Sequence, residues 1–591
     1  MDYTRLRGMG VSPGVAQGKV YLTEKVVFTS RKETIPKSLV PNELDRLKKA
    51  VAQTRNQLED LKNEIKSKLG EEHALIFDAH LLILKDKSLF RNFEKCIRED
   101  LVRAEWAISC EHERYIKIFE SIEDEYFRER QSDVSDVLSK VYGNLDPTEK
   151  KEAVQEGDKI IVAHDLLPSE AATSFSRGDI LAVALDMGGQ TSHTAILARS
   201  LNIPAVVGLS DITRRVKNGD LLIVDGTAGE VIINPPSALQ KEFVGKKQKY
   251  DDYQQELRKT AKLESKTLDD FNFYLMGNIE FPEEVEQARS MGAEGIGLFR
   301  SEFIYLQNPS LPSEEDHYDI YSRIAESAHP TPVYIRTVDV GGEKNMPQMK
   351  IAKEPNPALG LRAIRYSLRD RDIFRVQLRA ILRASVFDNV RILFPMVTEI
   401  EEIAEIKILI EEVKSDLRDN KIKFNENIPL GAMIEVPAAA AITDLLVKEV
   451  DFISIGTNDL IQYYLAVDRT NELVSYLYKP LHPSILRILR FIIETSQKHG
   501  KEVTVCGEMA ADPLSALVLL AFGLKTFSMN PIFIPRIKKT LRSVEYRTVR
   551  SIVQKAMTLK TAQEIEEYII EKVLVKHPKA FLMGQANSLL S

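Results

Sequence analysis

The chain has 591 residues, more than one hydrophobic core can organise, so several domains are expected. A 44% hydrophobic and 28% charged composition is that of a globular protein in water, and a formal net charge of -7 argues against a nucleic-acid binder. Three cysteines, Cys96, Cys110 and Cys506, exclude a disulfide framework or thiolate metal cluster and suit a reducing cytoplasm. Met1-Asp2-Tyr3-Thr4-Arg5 lacks the apolar run of a secretion signal, and no run of eighteen apolar residues follows to span a membrane.

Residues 8 to 22 are punctuated by glycine and end in Val-Tyr-Leu, which predicts a loop leading into a short strand. From residue 41 to about 145 no strand is expected. Leu44, Leu47, Val51, Thr54, Leu58, Leu61 and Ile65 fall on a/d positions, and Gly70 ends that helix. Further helices are expected around Ala74 to Leu84, Ala104 to Ile122 and Ser132 to Val141, which together predict a small helical bundle. Residues 157 to 234 carry four short strands: Lys159 to Ala163, Ile180 to Leu185, Ala205 to Gly208 and Leu221 to Asp225. His164 and Asp165, after the first of these, read as a solvated strand end, with a polar pair near the site as the alternative.

Between the second and third of those strands stands Gly188-Gly189-Gln190-Thr191-Ser192-His193-Thr194-Ala195-Ile196-Leu197-Ala198-Arg199. Thr191 or Ser192 can cap a helix starting near His193, with Ile196, Leu197 and Leu201 turned to the core. A histidine at a helix N-terminus sits where backbone N–H groups and the dipole favour an anion. A neutral imidazole there can attack phosphorus and then carry the phosphoryl group. Residues 237 to 270 are highly charged and poor in apolar residues, which predicts an exposed helical linker.

From Asn272 onward, eight strand candidates alternate with helical patterns. They are Phe273–Ile279, Gly295–Phe299, Val333–Val338, Val390–Phe394, Gly431–Glu435, Phe452–Ile455, Glu502–Cys506 and Thr526–Met529. This predicts a (β/α)8 barrel, whose functional residues gather at the C-terminal strand ends. Those ends carry Arg300, Arg336 with Asp339 beyond it, Glu435, Asn458-Asp459 followed by Arg469, and Cys506-Gly507-Glu508. Arginines clamp phosphate and carboxylate groups, and paired carboxylates suit Mg²⁺.

The histidine stretch resembles the phosphohistidine motif of enzyme I of the bacterial sugar phosphotransferase system, and is similar to that of phosphoenolpyruvate synthase and pyruvate phosphate dikinase. Gln190 departs from the Arg or Lys common there. Enzyme I is also what Gly297-Leu298-Phe299-Arg300-Ser301-Glu302-Phe303, Asn356-Pro357-Ala358-Leu359-Gly360-Leu361-Arg362, Gly431-Ala432-Met433-Ile434-Glu435-Val436-Pro437 and Ser454-Ile455-Gly456-Thr457-Asn458-Asp459-Leu460 look like. The similarity runs from Gly8 to about Lys538.

The resemblance implies a phosphohistidine α/β domain of residues 1–30 and 145–236. It implies a helical bundle of residues 31–144 that docks the carrier protein HPr, where Glu71, Glu72, Asp78 and Asp86 could face a basic partner. A linker of residues 237–270 leads to a barrel of residues 271–591 that binds phosphoenolpyruvate and dimerises. His193 then takes the phosphoryl group, Arg300, Arg336, Asn458 and Arg469 hold phosphoenolpyruvate, Glu435 and Asp459 bind Mg²⁺, and Cys506 protonates the enolate to give pyruvate. The expected protein is a cytoplasmic homodimer serving the first step of sugar uptake. In many enzyme I chains a threonine follows the Pro-Ser-Glu run closely; here Pro168-Ser169-Glu170 is followed by Ala171, Ala172 and Thr173.

Two other readings are weaker. A synthase or dikinase needs an ATP-binding region of several hundred residues, and only about 190 precede His193, more than half of them helical bundle. A catalytically silent scaffold would not need every expected catalytic position filled.

Overall fold

The computed structural model describes residues 3–23, 28, 32–69, 71–120, 125–145, 159–176, 179–189, 192–307, 310–341, 349, 354–469, 471 and 473–577. The chain divides into two compact units, Met1–Tyr253 and Gln254–Ser591.

The first unit is built on an eight-stranded sheet. Its strands are β1 (Thr4–Arg7), β2 (Met9–Ser12), β3 (Val15–Leu22), β4 (Lys159–Ala163), β5 (Ile180–Leu185), β6 (Ala205–Val207), β7 (Leu221–Asp225) and β8 (Glu230–Ile233). They lie in the order β1-β8-β7-β3-β4-β5-β6-β2. The run β3-β4-β5-β6 is parallel and the remaining pairs are antiparallel. β4 is buried along its whole length; Ile160 to Ala163 are apolar, and Lys159 at its start pairs with Asp179 at 3.4 Å.

Between β3 and β4 come α1 (Val40–Leu69), α2 (Glu71–Ile83), α3 (Lys87–Glu99), α4 (Ala104–Glu120) and α5 (Glu125–Leu145). The a/d residues of α1 are buried except Val51, which is half-buried. Thr54 is accommodated because its hydroxyl donates to the Ala50 carbonyl at 2.9 Å. Gly70 lies outside the described residues. The sequence reading omits α3. Its core residues Leu89, Phe93 and Ile97 stand four apart, and its N-cap is Asp86, whose carboxylate accepts from the Ser88 N–H at 2.7 Å. Asp86 therefore has a local duty, and Asp78 is paired with Lys62 at 2.6 Å. The side chains of Glu71 and Glu72 lie outside the described residues. One core cluster runs from Phe77, Phe93 and Ile108 in the bundle to Ala171, Val183 and Leu185, so bundle and sheet share a core.

The unit continues with α6 (Pro168–Ser176), α7 (His193–Ser200), α8 (Ile212–Arg215) and α9 (Ser237–Ala261). α9 runs across the boundary between the units as continuous helix. The segment after it belongs to the second unit: the Leu268 N–H donates to the Val544 carbonyl, and Phe271 stacks on Tyr546.

In the second unit eight parallel strands close a barrel. They are β9 (Tyr274–Ile279), β10 (Ile296–Arg300), β11 (Val333–Arg336), β12 (Val390–Phe394), β13 (Leu430–Ile434), β14 (Phe452–Ile455), β15 (Glu502–Val505) and β16 (Thr526–Met529). All eight strands expected from the sequence are present, three with the expected bounds, three displaced by one or two residues at one end and two displaced by one residue at both ends. Met276, Leu298, Tyr334, Leu393, Met433, Phe452 and Cys506 fill the inside of the barrel. Gly431 leaves room for the Phe452 ring, whose nearest carbon would lie 2.1 Å from a Cβ at position 431. The inner column ends upward at Cys506, where apolar packing gives way to the charged mouth.

Candidate active site

A cavity of about 190 Å³ opens at the C-terminal ends of the barrel strands. Four arginines line it, Arg300, Arg336, Arg362 and Arg469, together with Asp339, Glu435 and Asp459, and with Asn458 and Cys506. Of the strand-end residues that the sequence reading singled out, Arg300, Arg336, Asp339, Glu435, Asn458, Asp459, Arg469, Cys506 and Gly507 line this one space, and Glu508 does not.

Arg300 ends β10 and is partly exposed; its Nη1 donates to Glu280 Oε1 at 2.6 Å. Arg336 ends β11 and is buried. Its Nη2 donates to Glu302 Oε1 at 2.6 Å, and Nη1 stands 3.2 Å from Asp339 Oδ2. Arg362 was not predicted as a site residue. Its Nε and Nη2 hold the two oxygens of Asp339 at 3.0 and 3.1 Å, and Nη2 also reaches Asp459 Oδ2 at 2.9 Å. Its Nη1 donates to Tyr463 Oη at 3.1 Å. Burial alone would weaken the hold of Arg362 on its proton, but the Asp339 and Asp459 carboxylates more than reverse that. The signal for Arg362 was available, since it closes the Asn356–Arg362 stretch.

Glu435 follows β13 directly and is 2% exposed. Its Oε1 accepts the Met396 N–H at 2.7 Å. Burial first, and then the charges of Asp459 and Asp339, raise its pKa above the usual carboxylate range. Asp459 is the third residue of the helix Thr457–Leu465. Two buried hard-oxygen ligands that repel each other suit a divalent cation, which would remove the repulsion. Among the described residues no group of three or more His, Cys, Asp or Glu surrounds a single point. A cation here would rest on these two carboxylates and complete its shell with oxygens from outside the protein. Arg469 is exposed, and its backbone N–H donates to Gln462 Oε1 at 3.3 Å.

Cys506 stands one residue past β15 and is 6% exposed. The Ser454 hydroxyl donates to its sulfur at 3.3 Å, and the thiol lies 3.6 Å from the Ile455 carbonyl. The Asn278 amide donates to its backbone carbonyl at 2.9 Å and accepts from the Ser528 hydroxyl at 2.5 Å. Burial pushes the thiol pKa up, with the Ser454 hydrogen bond opposing it. At neutral pH the group is therefore a thiol, suited to giving a proton rather than to attacking carbon or phosphorus.

In the first unit β5 leads to Gly188, whose φ of +115° is open to glycine but strained for other residues. Ser192 is the cap of α7: its Oγ accepts the Ala195 N–H at 3.3 Å. His193 is the first residue of that helix. Its side chain, with Gln190 and Thr191, lies outside the described residues. Ile196 is 39% exposed rather than turned to the core, whereas Thr194, Ala195, Leu197 and Ala198 of α7 are buried. His164 and Asp165 are both exposed after β4, as a solvated strand end expects, and each has a partner of its own. Asp165 accepts the Leu166 N–H, while His164 Nδ1 lies 3.2 Å from Oδ2 of the buried Asp186. The Thr173 hydroxyl donates to the Ser169 carbonyl at 2.6 Å.

Three family models match the chain, all of the PEP-utilising enzymes. They are the N-terminal domain over residues 7–130, the mobile domain over residues 155–229 and the PEP-binding domain over residues 254–546. The class of protein is thereby a PEP-utilising enzyme. Phosphoenolpyruvate-protein phosphotransferase of Geobacillus stearothermophilus is 40% identical over 565 residues, 95% of this chain and 97% of its own. The protein of the same name from Haemophilus influenzae is 39% identical over 96% of this chain and 99% of its own. A solution structure of Enzyme I (nEIt) matches 42% of this chain and 99% of its own, at 39% identity and a TM-score of 0.35. The chain belongs to the phosphoenolpyruvate-protein phosphotransferase family, enzyme I. Among the described residues no helix is long and apolar enough to cross a membrane.

Proposed function

We propose that the chain transfers the phosphoryl group of phosphoenolpyruvate to His193 and then to a histidine of the carrier protein HPr. Pyruvate is released, and the transfer is the first step of sugar uptake by the phosphotransferase system. The observation that carries the reading is the barrel mouth, where four arginines and three carboxylates face one small cavity with the Cys506 thiol at its floor. The names of the relatives, which share two fifths of their residues with this chain, support the reaction class.

Phosphoenolpyruvate brings a phosphate and a carboxylate. Arg300, Arg336 and Arg469 bind those anions, and Asn458 adds an amide donor. Glu435 and Asp459 are the residues that would hold Mg²⁺. When bound, Mg²⁺ would neutralise charge building on the substrate oxygens. A nitrogen lone pair of His193 attacks phosphorus, and the P–O bond to the enol oxygen breaks with its electrons left on the enolate. The methylene carbon takes the proton of Cys506 Sγ, giving pyruvate, and the thiolate regains a proton from solvent. The phosphoryl group then leaves His193 for HPr, which meets the helical bundle. We assign the reaction to the cytoplasm and to a homodimer formed through the barrel unit. Support comes from the free thiols and from the exposed Leu473, Tyr476 and Leu477.

The test is incubation with ³²P-labelled phosphoenolpyruvate. The wild-type chain should gain acid-labile label and pass it to HPr, and His193→Ala should gain none. Label on His193→Ala would overturn the assignment.

A further inference from the structure

Asn458 has an ambiguity built into its chemistry. Its side-chain amide can turn either the carbonyl or the NH₂ toward the cavity, and an anionic substrate needs the NH₂. One residue decides between the two. The backbone N–H of Glu508 donates to Asn458 Oδ1 at 2.8 Å, and Asn458 Nδ2 donates to Glu508 Oε1 at 3.1 Å. A flipped amide would set its oxygen against the Glu508 carboxylate and its NH₂ against the Glu508 N–H. Both contacts would be lost and both replacements would be repulsive. With one N–H engaged by the carboxylate, the other remains for the cavity that Asn458 lines. The approach requires the glycine between Cys506 and Glu508. A Cβ at Gly507 would lie 2.0 Å from Thr457 Oγ1 and 2.9 Å from Asn458 Oδ1. Tyr478 Oη, 3.4 Å from the Asn458 carbonyl, braces the same residue from its backbone side.

We infer that the side-chain carboxylate of Glu508 is a positioning group for phosphoenolpyruvate binding: beside the backbone N–H, it locks the Asn458 amide with its NH₂ toward the substrate. This rests on the reading above, in which Asn458 holds phosphoenolpyruvate. Glu508 is itself exposed, so its replacement leaves the core untouched. The test uses the full chain carrying His193→Ala, which binds without turnover, and calorimetry of phosphoenolpyruvate with Mg²⁺ present. Glu508→Ala should weaken binding about ten-fold, whereas Glu508→Gln, whose amide oxygen can still accept from Nδ2, should stay within about two-fold. Asn458→Ala should weaken binding, and adding Glu508→Ala to it should weaken binding no further. In chains with His193 intact, Glu508→Ala should raise KM and leave kcat nearly unchanged. If Asn458→Ala binds like its parent, the substrate role of Asn458 is wrong. If Asn458→Ala is weak but Glu508→Ala binds normally, the lock is wrong. The lock is likewise wrong if Glu508→Gln is as poor as Glu508→Ala, or if the two alanine substitutions add.

Discussion

Cys506 belongs to two environments at once. It completes the apolar column inside the barrel, and it lines the charged cavity above. Its packing role and its proposed role as proton donor separate under one substitution. Cys506→Ser keeps the size but offers a much weaker acid, so pyruvate formation should slow by about 10²–10⁴-fold while phosphoenolpyruvate binding changes little. A packing role alone would instead lower the melting temperature by the equivalent of about 1 kcal/mol. Single-turnover pyruvate release and a melting curve on the same variant decide between them; normal turnover with a lowered melting point would remove Cys506 from the chemistry. At this scale much of the barrel site was legible, because strand-end arginines and carboxylates stand out from an apolar strand. Arg362 was less so. It comes from the segment after β11 rather than a strand end, and only folding brings it onto Asp339 and Asp459.

Among elements, long periodic or wholly apolar segments were readable and short polar ones were not. The eight barrel strands announce themselves because both faces are covered. β1, with the sequence Thr-Arg-Leu-Arg, sits at a sheet edge where only half its side chains need be apolar. α3 was hidden by its lysines, arginines and glutamates, although its core residues keep helical spacing. One barrel helix carries a prediction. His317, in the helix Glu314–Ala328, is buried between Tyr305 and Tyr321, and its Nδ1 lies 3.0 Å from Tyr321 Oη. Burial lowers its pKa from 6.5 to about 4. Unfolded chain takes up the proton at the ordinary value and folded chain does not. Stability from this group is therefore lost as pH falls from 6.5 toward 4, by about 3 kcal/mol in total, and levels off below. Denaturant melts of the barrel across that range should show the slope, and His317→Gln should flatten it. An unchanged slope in the variant would place the acid sensitivity elsewhere.

For the whole molecule, the chain carries two compact units with different equipment. The histidine motif lies in Met1–Tyr253, and the arginines proposed to clamp phosphoenolpyruvate lie in Gln254–Ser591. Residues 1 to 253, expressed alone, should fold around the core that bundle and sheet share. They should accept a phosphoryl group back from phosphorylated HPr and be inert toward phosphoenolpyruvate. Circular dichroism and the two labelling assays check this, and use of phosphoenolpyruvate by the isolated unit would refute the division of labour.

The protonated state of Cys506 extends to every sulfhydryl in the protein. Burial also pushes Cys96 up to about 12 and raises Cys110. Alkylating agents and peroxide react with the thiolate, so all three positions present a poor target in the folded chain. A colorimetric disulfide reagent should titrate the native protein slowly, and the unfolded protein rapidly at three equivalents. On the proposed mechanism, in which Cys506 gives a proton, the sulfur that serves as an acid is by the same protonation guarded against oxidative inactivation. Activity retained after a peroxide challenge that inactivates a thiolate enzyme would be the outward sign of that protection.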